Sequence, residues 1–141
     1  MTFLKQTNPD YAAFILRISL GTIWIAHGSY KLVVFGAAGF ADWMTSLGLP
    51  GFMAWPIILM ELIGGIALIL GVYGRYVSIV NMPILLGALY VHSENGWVFT
   101  SEGGGWEFPL FLIMIAIAHI LSGDGKFQMN AHFNDRNLCQ K

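Results

Sequence analysis

Roughly Tyr11–Phe35 reads YAAFILRISLGTIWIAHGSYKLVVF. A helix that crosses a bilayer needs about 20 apolar residues, because it rises about 1.5 Å per residue through about 30 Å of hydrocarbon. This stretch satisfies that requirement and carries only Arg17, His27 and Lys31 as basic groups. Three further apolar stretches follow, roughly Phe52–Val72, Tyr76–Val91 and Phe108–Leu121. The second is long enough by itself. The third and fourth draw on their flanks, which tilt and bilayer thinning accommodate. The expected fold is all-α: a four-transmembrane-helix bundle over residues 1–127 with antiparallel neighbours, then a polar tail over 128–141.

Composition supports lipid as the solvent. The 141 residues are 56% hydrophobic and 11% charged, against about 45–50% and about 25% in soluble domains. A soluble fold of this length would leave too much apolar surface in water. The net charge of -1 gives no footprint for nucleic acid. Cys139 is the one cysteine, so an internal disulfide and a CxxC redox pair are excluded; it reads as a free thiol. The first apolar run exceeds the roughly 7–15 residues of a signal-peptide core and reads as a retained helix.

Punctuation and charge orient the chain. Asn8-Pro9-Asp10 opens the first helix, with Asn8 in capping position and Pro9 in the first turn. Gly71, Gly74 and Arg75 bracket a turn short enough to force an antiparallel hairpin. Lys5, Arg17, Arg75, Lys126, Arg136 and Lys141 then share one face, against Lys31 on the other. That asymmetry puts the N-terminus, the short turn and the C-terminus in the cytoplasm. The longer loops, about Gly36–Gly51 and Ser93–Trp106, face outward. They hold Trp43, Trp97 and Trp106, with Trp55 just inside the second helix, among many glycines. Two readings stay open: an interfacial aromatic belt, or a lid over a site at the outer surface.

A charge in hydrocarbon costs about 2.5–3.5 kcal/mol on insertion scales, so every ionisable group there is a candidate. His27 and Glu61 lie at similar depth, about 12–14 Å below the outer surface at helical rise. Lys31 is one turn above His27 on the same face. His92 ends the third helix, and Glu107 opens the fourth at that level. His27, Lys31 and Glu61 form the expected catalytic polar cluster; His92, Asn95, Trp106 and Glu107 form the expected ligand-binding or lid set. The plain alternatives are that Lys31 snorkels to headgroups and that Glu61 neutralises Lys31 or Arg17 to fix helix register. His119 reads as a hydrogen-bonded packing residue. A metal set of His27, Glu61 and His92 lacks HxxH or ExxH spacing, and no metal is expected. Phosphate-loop and dinucleotide fingerprints are absent; Gly103-Gly104-Gly105 follows no strand.

Small residues mark helix contacts: Gly64, Ala67 and Gly71 on the second helix, Gly21 and Gly28 on the first. Pro83 should kink the third helix and free a carbonyl, with Asn81 placed to satisfy that region. A faint repeat pairs His27-Gly28 and Glu61 with His92, Asn95-Gly96 and Glu107.

Taken in order and spacing, these pieces resemble the DoxX family of bacterial membrane proteins. The matching residues are Arg17 with Gly21, His27-Gly28 with Lys31-Leu32, Leu47-Gly48-Leu49-Pro50, Glu61 with Gly64-Gly65, and Leu70-Gly71 with Arg75. His92 with Asn95-Gly96, Gly104-Gly105-Trp106-Glu107 and Gly123 through Lys126 continue the match, which spans Tyr11 to Phe127. The polar ending from Gln128 departs from the family pattern. The resemblance implies a four-helix protein of the bacterial inner membrane. Relatives of this kind include a subunit of an archaeal thiosulfate:quinone oxidoreductase, and others are linked to membrane complexes against oxidative or thiol stress.

The leading expectation is therefore a quinone-associated subunit of a membrane redox complex, with quinone as the cofactor and a protein partner supplying electrons. Lys31 or His27 would polarise a quinone oxygen and Glu61 would relay a proton. Two competitors stand beside it: a non-enzymatic anchor or assembly factor for a redox or metal-handling complex, and a small-molecule transporter. The latter is disfavoured by four helices without a broken-helix pair unless the chain forms an oligomer.

Overall fold

Pro9 opens helix α1 (Pro9–Tyr30) at its first position, where its missing N–H is no loss and its φ is already helical. The computed structural model describes residues 8–129. Lys5, His132, Arg136, Cys139 and Lys141, and the expected polar tail beyond Met129, lie outside the described residues. Asn8 makes no side-chain cap bond, so the cap expected there does not form.

α1 continues as a π-helical turn, Lys31–Phe35, which stops at Gly36 with φ 71°. α2 (Ala37–Ser46) follows, then a short 3-10 turn over Gly51–Met53. α3 (Ala54–Leu70), α4 (Gly74–His92) and α5 (Glu107–Ser122) complete the chain. Every regular element among the described residues is helical. The stretches Pro9–Phe35, Gly51–Leu70 and Gly74–His92 are long and apolar enough to cross a membrane. α5 is equally apolar but has 16 residues, about 24 Å at helical rise.

α1 packs on α3 and α5, and α4 packs on the same two helices. Backbone meets backbone where α1 crosses α3: a Cβ on Gly21 would lie 2.8 Å from the Gly65 carbonyl oxygen, and one on Gly65 2.8 Å from that of Gly21. Gly28 sits against Leu62 and Glu61. The small residues of α3 do not form one contact face, as expected from spacing. Gly64 turns instead toward Asn81 and Val77 of α4. Gly71 takes the left-handed conformation (φ 67°) that ends α3, with Val72 N–H bonded to Ala67 O and Gly71 N–H to Leu68 O. That paired closure is what a glycine at this position permits, and it makes the α3–α4 turn tight.

The apolar core consists of Leu20, Trp24, Leu68, Leu85, Leu112, Ile113 and Ala116. Around it sit five buried polar residues: Arg17, Glu61, Ser78, Asn81 and His119. Arg17 is fully buried and its guanidinium donates to Leu68 O (2.6 Å), Ile69 O (2.9 Å), Asp124 O (2.9 Å) and Lys126 O (2.9 Å). It thus satisfies the last carbonyls of α3, which a helix end leaves unpaired, and ties the segment after α5 beneath α1. Asn81 does not serve the region of Pro83 as expected; its Nδ2 donates to Met60 O on α3 at 3.3 Å.

The region 36–51 is the main departure from the sequence reading. It was expected as a loop and contains α2. Phe40 and Met44, one turn apart, bury against Ala54 and Ile58 of α3. An amphipathic helix of this kind lies along its neighbour instead of spanning.

Candidate functional site

The helix packing puts Lys31 over Glu61. Lys31 Nζ donates to Glu61 Oε1, and the side chains are 19% and 3% exposed. The second carboxylate oxygen, Oε2, is buried and has no hydrogen-bond partner. Gly28 makes this possible, because it lets α3 come close enough that a Cβ there would lie 3.1 Å from Glu61 Cβ. Lys31 also lies 5.3 Å from the centre of the Phe40 ring, a cation–π distance. Arg17 is engaged with backbone carbonyls at the other end, so Glu61 neutralises Lys31 and not Arg17.

Glu61, Lys31, His27 and His92 all line one cavity of about 720 Å³. Pockets that bury drug-sized ligands span about 300–1,000 Å³. Its floor is Leu20, Trp24, Leu85 and Leu112, and its roof includes Phe40, Trp43 and Met44 of α2. His27 stacks on Phe108, with ring centres 5.7 Å apart and planes within 16°. His92 Nδ1 donates to the Ala88 carbonyl at 2.7 Å, since a carbonyl oxygen can only accept, and its Nε2 lies beside Gly104.

The other expected lid residues are placed differently. Asn95 Nδ2 donates to Gly103 O (3.1 Å) and Gly104 O (3.0 Å). Trp106 N–H bonds Gly96 O, and its ring meets Trp97 edge-on at 4.4 Å. Glu107 Oε1 accepts from Phe99 N–H at 2.8 Å. None of the three lines the cavity. They brace the 93–106 loop, which presents Phe99, Gly104 and Gly105 to it. Glu107 faces a separate outer groove with Trp97, Phe111 and Met114. Of the aromatic residues expected as belt or lid, Trp43 roofs the cavity and Trp55 stands outside it.

Sequence reading missed Phe40 and Phe108. The i,i+4 pair of Phe40 and Met44 was the available signal for α2. Among the described residues, no group of three His, Cys, Asp or Glu side chains could hold a metal ion.

A second polar cluster sits at the opposite end. His119 is fully buried; its Nδ1 lies 2.9 Å from Ser78 Oγ and its Nε2 3.4 Å from Asp124 Oδ1. Asp124 Oδ2 accepts from Gly74 N–H at 3.0 Å. Burial pushes the Asp124 carboxyl up, but the adjoining His119 ring and the Gly74 amide outweigh it and hold it below its ordinary 3.8. His119 is thus the hydrogen-bonded packing residue expected from sequence, and it helps hold the base of α4 to the end of α5.

Comparison with known proteins adds the family. The DoxX profile matches residues 12–94. A Bacillus subtilis (strain 168) protein, CatD, whose name places it provisionally among the oxidoreductases, is 31% identical over 114 residues, covering 81% of each chain. The Escherichia coli (strain K12) inner membrane protein YqjF is 33% identical over 86 residues, 60% of this chain and 65% of its own. A Haemophilus influenzae protein is 26% identical over 139 residues, 94% of this chain and 98% of its own. No solved structure matches the chain. With a profile match over most of its length, apolar helices of spanning length and an inner-membrane relative, this chain belongs to the DoxX family and is an integral membrane protein.

Proposed function

We propose that the chain is a quinone-binding subunit of a redox complex in the bacterial inner membrane. α1, α3, α4 and α5 would form its four-helix transmembrane bundle, with both termini in the cytoplasm. The observation that carries this reading is the Lys31–Glu61 pair. One carboxylate oxygen is held by the ammonium and the other is buried without a partner, and both residues line a largely apolar, aromatic-roofed cavity. A buried unpartnered oxygen is costly, and the hydroxyl of the reduced ligand, a quinol, would remove that cost by donating to it. The residues present fit a quinone head. Flat aromatic surfaces receive the ring, and donors stand where its oxygens would lodge. The oxidoreductase naming of CatD agrees with a redox role.

A quinone bound there would take up two electrons from a partner protein and two protons to become a quinol. The chain's own part is positioning and proton supply. Lys31 Nζ would donate to one ring oxygen and lower the cost of negative charge gathering on it. Glu61 keeps that ammonium in place through Oε1, and through Oε2 would accept from the hydroxyl that the ring oxygen carries once reduced. His92 presents Nε2 toward the cavity, and its Nδ1–H bond to Ala88 O holds the ring against rotation. His27, fixed by Phe108, is the second imidazole in reach of the cavity. The dry surroundings strengthen each of these interactions.

The test is titration of protein in nanodiscs with decyl-ubiquinone, read by quenching of tryptophan fluorescence, since Trp24 and Trp43 line the cavity. Native protein should bind saturably. Glu61→Gln should bind at least tenfold more weakly, about 1.4 kcal/mol or more. Because breaking a buried pair can unfold the chain, Lys31→Met/Glu61→Gln is measured beside it. The double variant should fold and still fail to bind. Saturable binding that survives in both variants, or none in the native protein, would overturn the reading.

A further inference from the structure

The two ends of the α3–α4 hairpin differ in spacing. Near the tight turn the helices press together: a Cβ on Gly64 would lie 2.6 Å from Asn81 Nδ2 and 3.2 Å from Val77 Cγ1. Beyond Pro83 this closeness is lost. Gly87 lines the cavity, and a Cβ added to it would meet nothing within 4 Å. Proline inside a helix removes a backbone bond and lets the helix bend, and Pro83 stands where α4 leaves α3.

The cavity lining is exposed along this seam. Along the seam its exposed members are Met53, just before α3, Pro56 on α3, and Val80, Pro83 and Gly87 on α4; elsewhere His27, Trp43 and Phe99 are exposed too. Val80, Pro83 and Gly87 follow i, i+3, i+7 spacing, one face of a helix. None of the five seam residues carries a charge or a strong hydrogen-bonding side chain. All five lie within the two stretches long and apolar enough to cross a membrane. The opening therefore faces hydrocarbon, while α2 and the 93–106 loop cover the cavity from the other end with Phe40, Trp43 and Phe99.

We propose that the cavity is entered sideways from the bilayer through the slot between α3 and α4, and that its ligand is a tailed amphiphile. The oxygen-bearing ring lodges at Lys31 and Glu61, and an apolar chain lies between Met53–Pro56 and Val80–Gly87. The ring's identity rests on the quinone reading above; the route and the tail rest on the seam. An apolar chain fits here because it exchanges lipid contacts for Val, Pro and Met contacts and leaves no polar group unpaired. A freely water-soluble ligand would have to cross hydrocarbon to reach the slot.

The probe is a benzoquinone whose ten-carbon tail ends in a diazirine, photolysed with the full chain in nanodiscs and mapped by mass spectrometry. Adducts should fall on 53–56 and 80–87 and vanish with excess decyl-ubiquinone. Displaceable adducts on 97–106 or on α5 instead would overturn the slot while leaving the quinone reading intact. Absence of any displaceable adduct would overturn both. A second measurement uses Gly87, where a side chain meets no neighbour, so the fold is spared. Gly87→Leu should weaken decyl-ubiquinone at least tenfold and leave 2,3-dimethoxy-5-methyl-benzoquinone within threefold of native, whereas Gly39→Ala, away from the cavity, should bind both as native. Unchanged binding of the tailed quinone to Gly87→Leu would overturn the slot.

Discussion

Lys31 and Glu61 stand 30 positions apart in the chain and meet nearly out of water. Either charge alone would cost about 2.5–3.5 kcal/mol in a membrane interior. Their pairing removes much of that, and it leaves Glu61 Oε2 without a partner. At the opposite end, Asp124 is the counterpart outside the spanning stretches. Its carboxyl is held below 3.8 despite burial. A carboxyl depressed in the folded state adds stability above its unfolded value, and that stability disappears as pH falls through the folded one. The expected result is a fall in the melting temperature below about pH 4, which Asp124→Asn flattens. At pH 7, Asp124→Asn should itself cost about 1–3 kcal/mol, because the Gly74 amide and the His119 ring lose a charged partner. Thermal melts in detergent across pH check both, and identical acid profiles for the two proteins would remove this role from Asp124.

At the scale of elements, the α1–α3 crossing sets the site. Gly21 and Gly65 let two backbones touch, and Gly28 brings Glu61 within reach of the turn that carries Lys31. A Cβ on Gly65 would lie 2.7 Å from Ile25 Cγ1 and 2.9 Å from Ile25 N. Backbone cannot yield as a flexible side chain does, so Gly65→Leu should destabilise by about 1–3 kcal/mol or more. Gly39→Ala on α2, where a Cβ meets nothing within 4 Å, is the control and should be neutral or slightly stabilising, since Ala favours helix over Gly. The melting temperatures of the two variants decide this. α2 was illegible as a helix because it is short and its tryptophan and glycines also suit an interfacial loop. Its Phe40 and Met44 find burial only once α3 lies beneath them.

For the whole molecule, the proposed orientation follows from charge. Among the described residues, Arg17, Arg75 and Lys126 lie toward the base and Lys31 toward the loop end. If the base is cytoplasmic, Cys139, the one cysteine, should react with a membrane-impermeant maleimide in inverted vesicles and not in intact spheroplasts. The reverse pattern would invert the proposed topology. The DoxX resemblance read from motif order agrees with the profile match over residues 12–94.

The sequence by itself determined the solvent and the helical class, because hydropathy and helical rise are local properties that need no partner. It did not determine which charges pair. Glu61 could have met Arg17 or Lys31, and only the helix contacts choose Lys31, with Arg17 spent on the carbonyls that end α3. The cavity, its α2 roof and its open α3–α4 seam belong to tertiary structure alone. A cavity is made of surfaces from five helices and a loop, and no single stretch of chain encodes the distance between two of them.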